Sequence, residues 1–452
     1  MLYIFASYVI DKIDAKRVRR SIGELIAADK IFTLHRSHGK NSSADKMYLG
    51  GVSPDKNIYE PASVTGSEYN KIFANDRTSV KDKTVVYAVT PVMIFSLLIA
   101  VSSMVLGEDF SYVINSMMAS FVTLAPMSAV ISSFLPIHLS NKRLSSRGCI
   151  IPSYRAAKAI GDCDAIIFND SHLFRDATAK ENGIKIYDPA KTAEVFSCLD
   201  ALYRAIGGPM EKVFSGANAS PEARKVNIVR ITRSGIEAVI DDRINVILGT
   251  SDYLMRYGIA TDYSSEKKNS QGLIYVAMNA RLAASLSLCY KTEPLFEALC
   301  EVMGDNKIDA VISTFDPVIS SAYVASRRNR DGRKYPVSVV HKNKNDFYKK
   351  SGAEVSISRG GVFAISSRLK LVELAVFCKR IVVLARLNSL IRIASFALAV
   401  LLSAIFTVSG IMKYVNLVWV LLYQIMLVVA FIVATKRILP YTLENIKNKT
   451  EE

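Results

Sequence analysis

Asp162-Cys-Asp-Ala-Ile-Ile-Phe-Asn-Asp-Ser-His-Leu-Phe174 joins an apolar run to a cluster of polar residues, and that junction points to the architecture of the whole chain. Ala165–Phe168 is a short unbroken apolar run, the pattern of a strand buried on both faces of a sheet. Asn169-Asp170-Ser171 follows at once, and these side chains bond their own backbone and favour turns. The segment therefore reads as a buried strand running into a polar turn.

Strand-length apolar runs recur at Val226–Ile231, Ile244–Leu248, Leu273–Ala277, Ala310–Ile312 and Val337–Val340. Helical patterns such as Ala190–Ile206 and Pro294–Met303 separate several of them. Strands alternating with helices imply a parallel α/β sheet. Gly235–Gly249, with Asp241-Asp242 between two strand-like runs, reads instead as a hairpin of a second, more antiparallel lobe.

Longer apolar runs flank this body at Thr84–Leu106, Tyr112–Leu139, Ile393–Met412 and Tyr414–Thr435, and none holds Asp, Glu, Lys or Arg. A bilayer takes about 20 apolar residues to cross, so these are expected to be two transmembrane hairpins. Their linkers carry Glu108 and Asp109 in one case and only Lys413 in the other. Lys142, Arg143, Arg147, Arg380, Arg386, Arg392, Lys436 and Arg437 lie on the opposite side. Basic flanks stay in the cytoplasm, which puts the soluble body there and the chain in the cell membrane.

The chain has 452 residues, half of them hydrophobic, and a formal charge of +16. Topology and anionic headgroups account for that charge, and no basic patch interleaved with aromatics points to nucleic acid. The six cysteines (Cys149, Cys163, Cys198, Cys289, Cys300, Cys378) lack Cys-x-x-Cys spacing, which argues for reduced structural thiols and against zinc. His35-x-x-His38 lies in a polar segment without further ligands, and the expectation is a solvated loop with no metal.

Several segments then fall in a telling order. Ala165–Phe168 leads to Asn169; Ile308-Asp-Ala-Val-Ile-Ser-Thr-Phe-Asp316-Pro holds Thr314 and Asp316; Val337-Ser-Val-Val-His-Lys-Asn-Lys-Asn-Asp346 holds Lys342, Asn345 and Asp346; Gly352–Gly361 follows. Placed between membrane hairpins, this order resembles the P-type ATPases. The matching patterns there are Phe-Asp-Lys-Thr-Gly-Thr, Thr-Gly-Asp, Gly-Asp-Gly-x-Asn-Asp and Ala-Asp-Val-Gly-Ile. The resemblance covers essentially the whole chain. It implies a multi-pass α-helical membrane protein with a cytoplasmic α/β domain (HAD-like, Rossmannoid) carrying an inserted α+β nucleotide-binding-like lobe. Gly235 and Gly249 match that lobe's glycine-bearing strands, and the family's Asp-Pro on the return strand is Tyr290-Lys291 here.

The family moves the γ-phosphate of ATP to an aspartate, with Mg²⁺ neutralising the developing charge. At the aligned positions this chain has Asn169 and Lys342. Each replacement removes a carboxylate that a hard cation needs, and the second adds a positive charge. A register shift making Asp170 the nucleophile would turn the alternate strand residues to the wrong face, and Asp164 stands five residues before Asn169 as the family's pattern has it. On that alignment Asp170 and Ser171 are solvated turn residues. Val64-Thr-Gly-Ser-Glu68 holds the residue types of the family's dephosphorylation motif with two exchanged. Ala125-Pro126-Met127 stands where metal pumps of the family carry Cys-Pro-Cys, which makes Pro126 and Met127 candidate transport-site residues.

The expected domains are an actuator-like 1–83 with a stalk helix over Asp11–Ala28, a hairpin over 84–139, a phosphorylation-type domain of 140–190 and 290–380, a lobe of 191–289, a second stalk and hairpin over 381–437, and a tail of 438–452. The expected function is that of an inactive P-type ATPase homologue with a regulatory or structural role. An active cation pump using Asp170, and a nucleotide sensor that does not hydrolyse ATP, are the alternatives. No cofactor is fixed by the residues: ATP stays open as a ligand and Mg²⁺ is disfavoured. The partners expected are the lipid bilayer and, to supply leading helices, another membrane subunit, with no nucleic acid.

Overall fold

The computed structural model describes residues 31–38, 56–64, 83–124, 127–145, 148–215, 224–261, 272–328, 336–349, 362–365, 370–415 and 417–439. The chain divides into two compact units, one built on Met1–His35, Ala62–Asp162 and Ile357–Asn445, the other on Arg36–Pro61, Cys163–Ser356 and Ile446–Glu452.

The unit that holds the quoted stretch has a parallel sheet ordered Val337–His341, Asp309–Thr314, Ala165–Asn169, Ile58–Val64. Its central strands are buried on both faces, hence their continuous apolar sequences. Ile58, Ala165, Ile167, Val311 and Val340 form one core cluster. Asp164 fixes the start of its strand by accepting from the Asn57 N–H at 3.0 Å.

The second sheet of this unit is antiparallel and six-stranded, ordered Phe174–Ile186, Arg281–Thr292, Leu273–Met278, Ile244–Gly249, Gly235–Ile240, Val226–Thr232. The hairpin read at Gly235–Gly249 is present, and Asp241 and Asp242 both take positive φ (52° and 55°) at its tip. That tight turn suits the right-handed twist of the strands on either side. The sheet is wider than the expected lobe of 191–289: Phe174–Ile186 and Arg281–Thr292 pair with each other inside it. Pairing across about a hundred residues satisfies the backbone of the outer strand, whose sequence Phe-Arg-Asp-Ala-Thr-Ala-Lys-Glu-Asn-Gly-Ile-Lys-Ile has little apolar alternation. The chain returns to the parallel sheet only with the helix Pro294–Asp305.

The other unit is helical, with a short antiparallel sheet of Ile31–His38, Phe363–Ile365 and Cys149–Ile150. His35 and His38 therefore sit on a strand, not in a loop: the strand is Ile31–His38, and its first residues Ile31–Thr33 pair with Phe363–Ile365. The helix Tyr154–Gly161 packs on Lys370–Val408 so closely that a Cβ on Gly161 would lie 2.4 Å from Val382 Cγ2. Only glycine permits that approach.

Lys83–Val105 and Leu417–Ile438 follow the first and last apolar runs closely. Within the run expected as one span over Tyr112–Leu139 lie the helices Phe110–Leu124 and Met127–Leu144, and Ala125 and Pro126 between them are outside the described residues. The third run lies within the 39-residue helix Lys370–Val408. By length and apolar composition Lys370–Val408 and Val418–Ile438 suffice to cross a bilayer, and Val92–Val105 is a shorter apolar helix.

The bundle hides small and polar residues and exposes large apolar ones. Ser96, Ser103, Ser116, Ser120, Ser403, Thr407 and Gln424 are buried, whereas Leu97, Leu98, Met118, Leu401, Trp419 and Met426 are more than half exposed. The hydroxyls are satisfied locally: Ser103 donates to Ile99 O at 2.9 Å and Thr407 to Ser403 O at 2.7 Å, while Ser103 Oγ and Ser116 Oγ meet at 3.1 Å between helices. Water would drive the opposite arrangement.

The stalk helix expected over Asp11–Ala28 and the motifs read at Thr65–Glu68 and Gly352–Gly361 lie outside the described residues. The cysteines carry no disulfide; all but Cys289 are buried.

Candidate functional site

Three parallel strands end in register. Ser313 pairs with Asn169 and Thr314 with His341. The next residue, Lys342, donates its backbone N–H to Thr314 O at 2.9 Å, extending the ladder. Its ammonium donates to Asn169 Oδ1 at 3.2 Å and lies 5.3 Å from the centre of the Phe315 ring, over its face. Phe347 meets Phe315 edge-on, with centroids 6.1 Å apart. Asn169 and Lys342, 173 positions apart, are thus bonded neighbours at the carboxyl ends of one sheet.

Asp170 is not a solvated turn residue. It is buried, 8% exposed, at the start of the short helix Asp170–Leu173. Its Oδ2 accepts from the Thr314 hydroxyl at 2.7 Å and its Oδ1 from the Ser171 N–H at 2.7 Å. Gly208 covers it; a Cβ there would stand 3.2 Å from Oδ2. These donors make burial of the carboxylate tolerable, and one of them comes from a distant strand that the local sequence cannot announce.

Asp316 continues this buried network. Its N–H donates to Thr314 Oγ1 at 2.9 Å, its Oδ1 accepts from the Val318 N–H at 2.9 Å, and its Oδ2 accepts from the Tyr290 hydroxyl. Burial pushes its carboxyl up to about 6 in spite of the Tyr290 and Val318 bonds, and the charge of Asp170 adds to the rise. Tyr290 donates its N–H to Tyr323 Oη at 3.0 Å and packs against Phe174 at 5.3 Å. Tyr203 is fully buried, and its hydroxyl has no hydrogen-bond partner among the described residues. Burial, then the Asp316 charge, holds that phenol far above its ordinary range.

Asn345 is exposed on the helix Lys344–Lys349. Asp346 closes the N-terminus of that helix: its carboxylate accepts from the Asn343 N–H at 3.0 Å while Asn343 Oδ1 accepts from the Asp346 N–H at 3.0 Å, a reciprocal cap. His341 has both ring nitrogens buried without a hydrogen-bond partner among the described residues. Burial, with Arg233 adding to it, lowers its imidazole to about 4, so the ring is neutral at pH 7.

Gly235 and Gly249 face each other across paired strands, but they do not form an open cradle. Cβ atoms there would lie 2.1 and 2.7 Å from the Tyr253 ring, and 2.7 and 2.6 Å from backbone oxygens of Leu248 and Ser234. The missing side chains make room for a tyrosine of the same lobe. Tyr253 and Tyr257 share a 3.3 Å hydroxyl contact, and Tyr257 donates to Glu237 at 3.0 Å. Pro126 lies outside the described residues, and Met127 opens the helix Met127–Leu144.

Mg²⁺, which the family resemblance implies, does not fit the Asn169–Lys342 edge. Hard cations take oxygens from carboxylates, and here an ammonium is bonded to the amide. Among the described residues no three His, Cys, Asp or Glu side chains converge on one point. Of the sequence candidates, the fold gathers Asn169, Asp170, Thr314, Asp316 and Lys342, and sets the two glycines apart. Tyr290, Tyr203 and Gly208 were missed; Tyr290 stood out in the sequence only as a departure from Asp-Pro.

No protein-family model matches the sequence, and no curated protein matches it. Among solved structures the neighbours of this chain are P-type ATPases. One is a zinc-transporting PIB-type ATPase in its E2.Pi state, at 14% identity over 84% of this chain and 68% of that one, with a TM-score of 0.41. Another structure of a zinc-transporting PIB-type ATPase shows 14% identity, 97% and 86% coverage, and a TM-score of 0.42. A third is the catalytic domain of the CPx-ATPase CopB-B, at 18% identity, 45% and 70% coverage, and a TM-score of 0.29. Likenesses this distant transfer no residue role.

Proposed function

We propose that the chain is a P-type ATPase-like integral membrane protein that has lost phosphoryl transfer and serves a regulatory or structural role. One observation carries the reading: the Lys342 ammonium stands 3.2 Å from the amide oxygen of Asn169, at adjoining strand ends. An amide is not a nucleophile toward phosphorus, and an ammonium repels the cation that such chemistry needs. At about 5 Å and an effective dielectric of about 20, a monovalent and a divalent cation repel by roughly 7 kcal/mol. Membrane insertion across several spans is supported by the polar interior and apolar exterior of the bundle, and by basic residues closing Met127–Leu144 and Leu417–Ile438.

A second reading has one observation in its favour. Asp170 is a buried carboxylate bonded to Thr314 and near Asp316, so an acyl-phosphate on Asp170 would make the chain a working ATPase. One experiment separates the two. Purified full chain is incubated with γ-labelled ATP, acid-quenched and assayed for protein-bound label, alongside Asp170→Ala and the double variant Asn169→Asp with Lys342→Asp. Loss of transfer predicts label in the double variant alone. Label on the wild type that disappears in Asp170→Ala establishes the second reading instead.

A further inference from the structure

The helices Met127–Leu144 and Leu417–Ile438 end side by side. Arg143 Nη1 donates to Leu439 O at 3.3 Å and joins the two ends. Asn141 fastens the first of them to Ile151 by two 3.0 Å bonds, one donated and one accepted. The last turns bear Lys142 and Arg143 on one helix and Lys436 and Arg437 on the other. Lys142, Lys436 and Arg437 are exposed and make no ion pair among the described residues. A helix C-terminus carries about half a negative charge, far less than the cations it bears here, so the joined ends are a positive patch on a fixed frame.

An apolar stripe runs into this patch. Leu422, Met426, Val429 and Val433 are between 48% and 63% exposed, and their spacing of three or four residues puts them on one helix face with Lys436 and Arg437. From Leu422 to Lys436 the stripe is about 21 Å long at a rise of about 1.5 Å per residue. One leaflet of a bilayer core is about 15 Å deep, half of about 30 Å. A free anion or an acidic peptide would use the cations alone; a lipid uses both features.

We propose that these helix ends form a site for an anionic glycerophospholipid. Its phosphate diester accepts charge-assisted hydrogen bonds from Lys142, Lys436 and Arg437, and an acyl chain lies along Leu422, Met426, Val429 and Val433. The proposal rests on the membrane reading and goes beyond it. Orientation by basic flanks needs only charge near the surface, whereas this site needs these particular cations and makes the bundle sensitive to headgroup charge.

The test uses the full chain in phosphatidylcholine nanodiscs, with spin-labelled phosphatidylglycerol or spin-labelled phosphatidylcholine as probe. Electron spin resonance measures the fraction of probe immobilised on the protein. Phosphatidylglycerol is expected to be preferred by about fivefold or more, the equivalent of one surface cation. The double variant Lys436→Gln with Arg437→Gln should abolish the preference, and Lys436→Arg should keep it. Arg243→Gln, at an exposed position of the other unit, should leave it unchanged. Equal immobilisation of the two probes, a preference that survives the double variant, an equal loss in Arg243→Gln, or displacement of the probe by equimolar glycerol phosphate overturns the proposal. A chain that inserts but ignores headgroup charge sinks the site alone. A chain that does not insert into neutral bilayers sinks the membrane reading with it.

Discussion

Thr314 donates its hydroxyl to Asp170 at 2.7 Å across 144 positions of sequence, and the same oxygen accepts the Asp316 N–H at 2.9 Å. One threonine thereby ties two buried carboxylates into a single polar cluster bordered by Tyr290, Tyr203 and Gly208. Hydrogen bonds from Thr314, Ser171, Tyr290 and Val318 answer the mutual repulsion of the two carboxylates.

That arrangement sets a pH dependence. The Asp316 carboxyl titrates near about 6 in the folded chain against an ordinary 3.8, so between these values the folded state holds a proton that the unfolded state has released. Its contribution to stability is fully present below about pH 4 and lost as pH rises through about 6. A rise of that size is worth about 3 kcal/mol. Hydrogen exchange of Asp309–Thr314 should show greater protection at pH 4.5 than at pH 7, and Asp316→Asn should flatten that difference. A slope that survives the substitution would place its origin elsewhere.

Gly161 lies under Val382, where an added Cβ would come within 2.4 Å of a methyl carbon and 3.2 Å of the Cys378 carbonyl oxygen. Val382 is branched and buried, so it cannot swing aside. Gly161→Ala should destabilise the helical unit by about 1–3 kcal/mol through overpacking, read as a lower thermal midpoint in detergent. Val382→Ala in the same chain should recover most of the loss, and a pair of losses that simply add would refute the contact.

The Tyr253 ring over Gly235 and Gly249 gives an asymmetric pair of outcomes. Tyr253→Ala leaves a cavity and should cost about 3–5 kcal/mol, as aromatic truncations in cores do. Gly235→Ala should be worse, and Tyr253→Ala should rescue it only in part, since the new Cβ would still lie 2.7 Å from Leu248 O. Limited proteolysis of the lobe measures both. Full rescue would mean that the backbone approach is not limiting.

What the sequence disclosed follows from where the determining forces act. Ala165–Phe168, Ala310–Ile312 and Val337–Val340 were legible because strands buried on both faces must be continuously apolar. The adjacency of Asn169 and Lys342 followed once those strands were parallel neighbours. Phe174–Ile186 was not legible, because a polar edge strand owes its conformation to Arg281–Thr292, far along the chain. The burial of Asp170 was equally hidden: Asn-Asp-Ser reads as a solvated turn until Thr314 is brought over it. The glycines at 235 and 249 signalled close approach correctly, but not what approaches, since a planar ligand and the chain's own Tyr253 make the same demand on the backbone.

The bundle offers a prediction in which water and lipid give opposite signs. Leu401 is 57% exposed and Ser403, two residues on, is 3% exposed. If the exposed face met water, Leu401→Lys would be neutral or would raise soluble yield. Facing lipid, a lysine near the middle of a span costs about 3 kcal/mol of insertion free energy. The fraction of chain resisting carbonate extraction from membranes should therefore fall in Leu401→Lys. Ser403→Leu, apolar yet at a buried position, should also fall, because a leucine overfills a site shaped for a serine. A rise in soluble protein for Leu401→Lys would remove the membrane reading.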